Sequence, residues 1–123
     1  MKYLLLLVVL LVGCSPPTLQ QQHANAMKQH RYIEDIDQYG RQDVWVASLR
    51  GDCEDYALWM KRKVGGKLLY VVTQKKELHV VLDVDGQVVD NLSKVVYDRK
   101  DMKHKLIFEM SEEQVQQFME SRK

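Results

Sequence analysis

Gly51-Asp52-Cys53-Glu54-Asp55-Tyr56-Ala57-Leu58 places one cysteine where a turn becomes a helix. Gly51 can take the backbone angles of a tight turn. Asp52 is a good N-cap, because its carboxylate can accept hydrogen bonds from the free N–H groups of a first turn. Cys53 is then the first helical residue and Asp55 the third, in a capping-box-like arrangement. Ala57 to Lys63 suit a helix, and Gly65-Gly66 ends it. A thiol in the first turn sits at the positive end of the helix dipole, which favours thiolate. Taken alone, such a cysteine is more simply a small buried hydrophobe; its surroundings in the sequence argue otherwise.

Working outward, the chain has 123 residues, is 46% hydrophobic and carries a net charge of +1. That is one small domain at most, with no charge bias toward nucleic acid or an acidic partner. Met1-Lys2 and the apolar run Leu4 to Val12 form a short leader that is too short to span a bilayer comfortably. It ends in Leu11-Val12-Gly13-Cys14, which is similar to a bacterial lipobox. Residues 1–13 are therefore expected to be a lipoprotein signal peptide, with Cys14 lipidated at the mature N-terminus. Ser15 after that cysteine resembles lipoproteins sent to the outer membrane, facing the periplasm. A lipidated Cys14 cannot form a disulfide, so Cys53 becomes an unpaired thiol in an oxidising compartment, a liability unless it is used.

Ser15 to Thr18 read as a tether. Leu19 to Gln38 suggest a helix ending near Tyr39-Gly40, its early part a solvated stalk. Residues 14–30 are assigned to this lipidated N-terminus and stalk, and 31–123 to the domain. Trp45 is expected in the core near the cysteine helix. Beyond that helix, strands are predicted over Lys67 to Thr73, Glu77 to Val84, Gln87 to Asn91 and Lys105 to Met110, with a further short strand at Lys94 to Tyr97. In the second, Leu78, Val80, Leu82 and Val84 share one face. Ser111-Glu112-Glu113-Gln114 matches a capping box, so a terminal helix follows, docked through Val115, Phe118 and Met119. The fold class is α+β: a cysteine helix against a small antiparallel sheet.

Asp85-Gly86 between apolar runs signals a two-residue hairpin turn. Val84 then faces Gln87, and Val81 faces Asp90. Residues two apart on a strand share a face, so His79 and Asp90 become diagonal neighbours, about 7–8 Å apart at Cα and bridgeable by side chains. The hairpin alone is equally consistent with a half-buried strand histidine and a turn-forming aspartate. Together with Cys53, however, these are the parts of a thiol nucleophile site. The histidine takes the thiol proton and the aspartate orients the ring. Backbone N–H groups at the helix start are the candidate oxyanion donors, with Gln42 a remote side-chain alternative.

Asp43-Val44-Trp45, the Gly51–Leu58 block, Leu78-His79-Val80-Val81-Leu82 and Val89-Asp90-Asn91-Leu92 stand in the order found in the bacterial transglutaminase-like cysteine peptidases. The chain resembles that family from about Tyr32 to Val96. It comprises papain-like thiol hydrolases that include the periplasmic LapG proteases. The resemblance implies a papain-like/transglutaminase-like core, a protein or peptide substrate, Cys53 as nucleophile, His79 as base and Asp90 as orienting residue. It also implies calcium beside the nucleophile, with Asp52 and Glu54 as candidate ligands; no other cofactor is required. Two neighbouring acids do not make a calcium site by themselves, and an N-cap plus a first-turn acid is the simpler reading of the pair. The chain is shorter than typical members.

Zinc is not favoured: His23, His30, His79 and His104 lack close ligand spacing in sequence. Lys61-Arg62-Lys63 and Lys75-Lys76 read as solvated surface. The leading expectation is a membrane-tethered thiol hydrolase, peptidase or amidase, working through a thioester. The alternatives are an inactive envelope lipoprotein that uses the fold to bind protein, and an acyl transferase in which an amine replaces water.

Overall fold

The computed structural model describes residues 15–120. The readings of Cys14 and of the leader before it lie outside the described residues. The elements run α1 (Leu19–Gln29), β1 (Arg31–Tyr32), α2 (Asp35–Tyr39), β2 (Arg50–Gly51), α3 (Cys53–Val64), β3 (Lys67–Val72), β4 (Leu78–Val84), β5 (Gln87–Val89), β6 (Tyr97–Asp98), a 3₁₀ turn (Arg99–Asp101), β7 (Lys105–Glu109) and α4 (Glu112–Glu120). Mixed helix and antiparallel sheet make this an α+β fold. No helix among the described residues is long and apolar enough to cross a membrane.

Five strands form the main sheet, in the order β6-β5-β4-β3-β7, with every pairing antiparallel. The hairpin register is the expected one, with Val84 opposite Gln87. Asp85 (φ 50°) and Gly86 (φ 87°) both take positive φ, as the primed turns that join twisted strands require. Below the sheet lies α3, whose Tyr56, Ala57, Leu58 and Met60 pack with Leu68, Val80 and Leu82. Full burial of such side chains is worth about 1.5–3 kcal/mol each before entropy is counted. Trp45 is buried in this core, as expected from sequence. A second cluster, Leu69, Val71, Val81 and Val88, fills the opposite face beneath Tyr97 and Met102. The single apolar face read for Glu77 to Val84 is therefore incomplete, because the β6–β7 connection covers the other side.

Three local departures from the sequence reading have physical causes. The helix predicted to run through to Gly40 is broken in two. Arg31 and Tyr32 leave the helix to pair in parallel with Arg50 and Gly51. Gly40 (φ 74°) closes the second piece as a left-handed C-cap. Gly51 is not a turn residue but part of β2; its value is space, since a Cβ there would run into the Asp55 carboxylate. The stalk reading of the early helix also gives way. Thr18 caps α1 through a full capping box, and α1 is docked: His23 and Ala26 are buried, while Gln20 bonds the backbone of Lys94 and Val96.

The short strand expected at Lys94 to Tyr97 forms instead at Tyr97–Asp98, where it pairs with Gln87 and Val88; the remaining elements follow the sequence closely. Gly65 (φ 75°) ends α3. Ser111 and Gln114 cap α4 reciprocally, and Val115, Phe118 and Met119 join the core. Lys61 departs from its expected solvated state: its ammonium bonds the Gly66 carbonyl at 3.0 Å and Glu112 at 2.7 Å.

Candidate active site

The site is assembled from both layers of the fold. Cys53 is the first residue of α3, after the N-cap Asp52. Asp55, at the third position, turns back to take the Asp52 amide at 3.4 Å and the Val46 amide at 3.0 Å. One side chain thus fixes both the start of the helix and the loop running beside it. His79 lies on β4, directly over the helix start, and lines with Cys53, Tyr32, Gln42 and Trp45 a cavity of about 170 Å³. The backbone of Val80, one residue beyond His79, faces the Cys53 sulfur.

Asp90 follows β5 and lies behind His79. Its Oδ1 accepts His79 Nε2 at 2.7 Å, with both side chains buried. A carboxylate only accepts, so Nε2 is the protonated nitrogen of the neutral ring, and Nδ1 is the one left for another partner. Asp90 has three further donors: the Leu92 amide at 2.9 Å on Oδ1, and the Tyr97 hydroxyl at 3.0 Å and His104 Nε2 at 2.7 Å on Oδ2. Burial pushes Asp90 up, but His79 above all, with Leu92 and His104, outweighs it and holds the carboxyl well below the usual range.

Around the helix start the electrostatics run the other way. Asp35, Asp52, Glu54 and Asp55 bring carboxylate oxygens within 4.8 Å of one another. Burial, reinforced by Glu54 and Asp35, pushes Asp52 up to about 9. Burial likewise raises Glu54 to about 7 and, with help from Asp52 and Asp35, Asp55 to about 8. Asp52 Oδ1 and Asp35 Oδ1 are buried without a partner among the described residues. The Cys53 thiol bonds Glu54 Oε2 at 3.3 Å; burial, then the Glu54 charge, push it up, against the opposing pull of the Val80 backbone. The helix-dipole effect expected from sequence is thus outweighed here by desolvation and neighbouring acids.

These observations test the fit of a divalent cation. Calcium takes six to eight oxygen ligands at 2.3–2.6 Å. Asp52 and Glu54, the candidates from sequence, are joined by Asp35, whose other oxygen takes the Val44 amide at 2.6 Å. Two orphaned buried oxygens and a set of mutually repelling acids are what an oxygen-seeking cation would satisfy. Asp55 is committed to two backbone amides and fits better as the cap than as a ligand. The residues fit the ion.

The chain belongs to the bacterial transglutaminase-like cysteine proteinases. The description of that family matches residues 17–123, α1 included. None of the curated proteins matches the chain. Membership makes this a cysteine peptidase at the level of the family, with protein or peptide substrates. Hairpin register had paired His79 with Asp90, and the family resemblance had added Cys53; the fold adds Asp35, Tyr97 and His104. Asp35 stands 17 residues before Asp52 in the chain and arrives through the β1–β2 pairing. His104 arrives through the 3₁₀ turn into β7, so its sequence isolation did not mean spatial isolation. His23 and His30 flank Tyr56 instead, with ring centroids 5.8 and 4.9 Å from it.

Proposed function

We propose that this protein is a membrane-tethered thiol hydrolase that cleaves peptide bonds with a Cys53-His79-Asp90 triad through a thioester acyl-enzyme. The observation that carries the reading is the buried 2.7 Å His79–Asp90 pair, with His79 lining the same cavity as a helix-start cysteine.

Because Nε2 is committed to Asp90, Nδ1 is the nitrogen left to receive the thiol proton. The thiolate attacks the scissile carbonyl carbon, and the carbonyl electrons move to oxygen. N–H groups of the first turn of α3 are the donors for that oxyanion, with Gln42 at the cavity wall as a side-chain contributor. The oxyanion collapses, the C–N bond breaks, and the His79 imidazolium delivers its proton to the departing amine. Water then attacks the thioester while His79 takes its proton; the acid leaves and the thiol is restored. Asp90 stabilises the imidazolium and holds the ring orientation.

Asp35, Asp52 and Glu54 would hold calcium beside the nucleophile. Such an ion would supply positive charge where the isolated acids oppose thiolate. The chain's own part is to gather these carboxylates at the cap of α3 and to keep Asp55 on its backbone partners.

For the tether, the lipobox-like Leu11-Val12-Gly13-Cys14 supports cleavage before Cys14 and lipid attachment at its sulfur, and Ser15 after it supports an outer-membrane location facing the periplasm. Cys14→Ser should abolish lipid modification and maturation. Unchanged mass and membrane partition would remove the anchor from the proposal.

The enzyme reading is tested by acylation of Cys53 with a p-nitrophenyl acyl ester. The wild type should release p-nitrophenolate in a burst of one equivalent, and Cys53→Ala should release none. A wild-type rate no greater than that of an exposed model thiol would overturn it.

A further inference from the structure

We infer that His104 is a positioning residue for the reaction, acting through Asp90 on His79; this rests on the triad reading above. The argument begins with the geometry of the Asp90 carboxylate. An aspartate held by one hydrogen bond can rotate about its terminal torsion, which is broad and roughly two-fold, and swing its oxygens away from the base. Asp90 cannot do so cheaply, because both oxygens are spoken for. His79 and the Leu92 amide share Oδ1, while His104 Nε2 and the Tyr97 hydroxyl share Oδ2.

Of the two donors on Oδ2, His104 is the closer, at 2.7 Å against 3.0 Å for Tyr97. It also packs edge-on against the base itself, with ring centroids 5.2 Å apart. Its other nitrogen, Nδ1, is buried and has no partner among the described residues. A histidine serving only to close the β6–β7 connection would use both nitrogens or leave one in water. This one accepts an unpaired buried nitrogen, normally a cost, while directing its single donor at Asp90. The arrangement fixes the plane of the carboxylate so that Oδ1 meets Nε2 of His79, which in turn fixes where Nδ1 points.

A cavity of about 280 Å³, lined by Asp90, Tyr97, Asp101, Lys103 and His104, lies on this side of the carboxylate. Water or a small solute in it would compete with those donors for Oδ2. His104 and Tyr97 guard that oxygen, so that Asp90 spends its charge on His79 rather than on solvent.

The test compares acylation of Cys53 by the p-nitrophenyl ester in the wild type, His104→Ala, His104→Gln and Tyr97→Phe, with melting temperatures in parallel. Glutamine can place an N–H donor near the Nε2 position and so keeps the bond without the ring. His104→Ala should slow acylation about tenfold or more. His104→Gln should recover most of that loss, and Tyr97→Phe should slow the reaction by a smaller factor. In an Asp90→Ala background, His104→Ala should change nothing further, since residues acting as one unit are not additive. The His79 Nε2 proton, expected at low field in the proton NMR spectrum, should shift or broaden in His104→Ala and return in His104→Gln. If His104→Ala does not fold, the contrast of His104→Gln with Tyr97→Phe, read by rate and by this resonance, decides the matter. A fast wild type matched by His104→Ala overturns this inference alone, as does a His104→Gln variant that folds yet is as slow as the alanine variant. A wild type no faster than an ordinary thiol overturns the triad reading and this inference with it.

Discussion

Two carboxylate clusters stand on either side of the Cys53–His79 cavity, and they are opposites. On the sheet side one acid, Asp90, receives four donors and is held ionised. On the helix side four acids converge, two of their buried oxygens have no partner, and three of the carboxyls are pushed upward. Buried charge is tolerated when it is paired and is costly when it is not. The first cluster is therefore finished by the protein itself. The second is finished only by something positive from outside.

The sharpest break is made at the finished cluster. Asp90→Asn keeps the shape but replaces an acceptor-only group by one that must turn an NH₂ toward donors. Turnover should fall by roughly 10³–10⁴, the scale of the equivalent change in other triads. Removing one partner of a buried pair should also cost about 3–5 kcal/mol, read by urea unfolding. The double variant His79→Ala with Asp90→Asn should be little slower than His79→Ala alone. Additive losses would show that the two do not work as a unit.

The unfinished cluster should respond in the opposite sense. Glu54→Gln removes a charge from an overcharged group, so the calcium-free protein at pH 8 should become more stable, by about 1 kcal/mol on the scale of ordinary stabilising substitutions. Burial raises the Glu54 carboxyl above its unfolded value, so the folded state favours its protonated form. That contribution is complete below about pH 4 and is lost as pH rises through about 7. The calcium-free melting temperature should therefore fall between pH 5 and 8, less steeply in Glu54→Gln. Calcium at a hundred times its dissociation constant should add about 2.7 kcal/mol to the wild type by mass action, and little to Glu54→Gln. No calorimetric shift at millimolar calcium would leave Asp52 as a cap and nothing more.

The smallest effect is expected outside both clusters, at His23. Its ring bonds the Tyr56 hydroxyl at 2.7 Å and the Ser93 carbonyl at 2.6 Å, and burial lowers its pKa. A depressed histidine gives stability that is present above the unfolded value near 6.5 and is lost as pH falls through the folded one. Unfolding free energy should drop below about pH 6.5, with a slope under about 1.4 kcal/mol per pH unit for one proton. His23→Gln should flatten that slope; an unchanged slope would place the acid sensitivity elsewhere.

The contrast also shows what a sequence can display. Asp52, Cys53, Glu54 and Asp55 are contiguous, and His79 and Asp90 are joined by a two-residue turn, so local rules bring each group together. Asp35 needs a parallel pairing of Tyr32 with Gly51 across an irregular loop. His104 and Tyr97 need the connection that crosses the second face of the sheet before β7 joins β3. Neither crossing leaves a periodic trace in the residues. The break in the first helix was hidden for the same reason: Arg31 and Tyr32 leave the helix because of a partner 19 residues away.

The docking of α1 has a consequence for where the enzyme can work. For a chain anchored at Cys14, only Ser15 to Thr18 separate the lipid from a helix fastened to the catalytic domain. Four extended residues reach roughly 14 Å. On so short a leash the cavity would sample a thin layer above the bilayer and little of the fluid beyond it. Scissile bonds in the membrane-proximal stretches of other anchored proteins would share that layer, and the tether would raise their effective concentration at Cys53. A freely diffusing peptide with the same cleavage sequence would gain no such advantage.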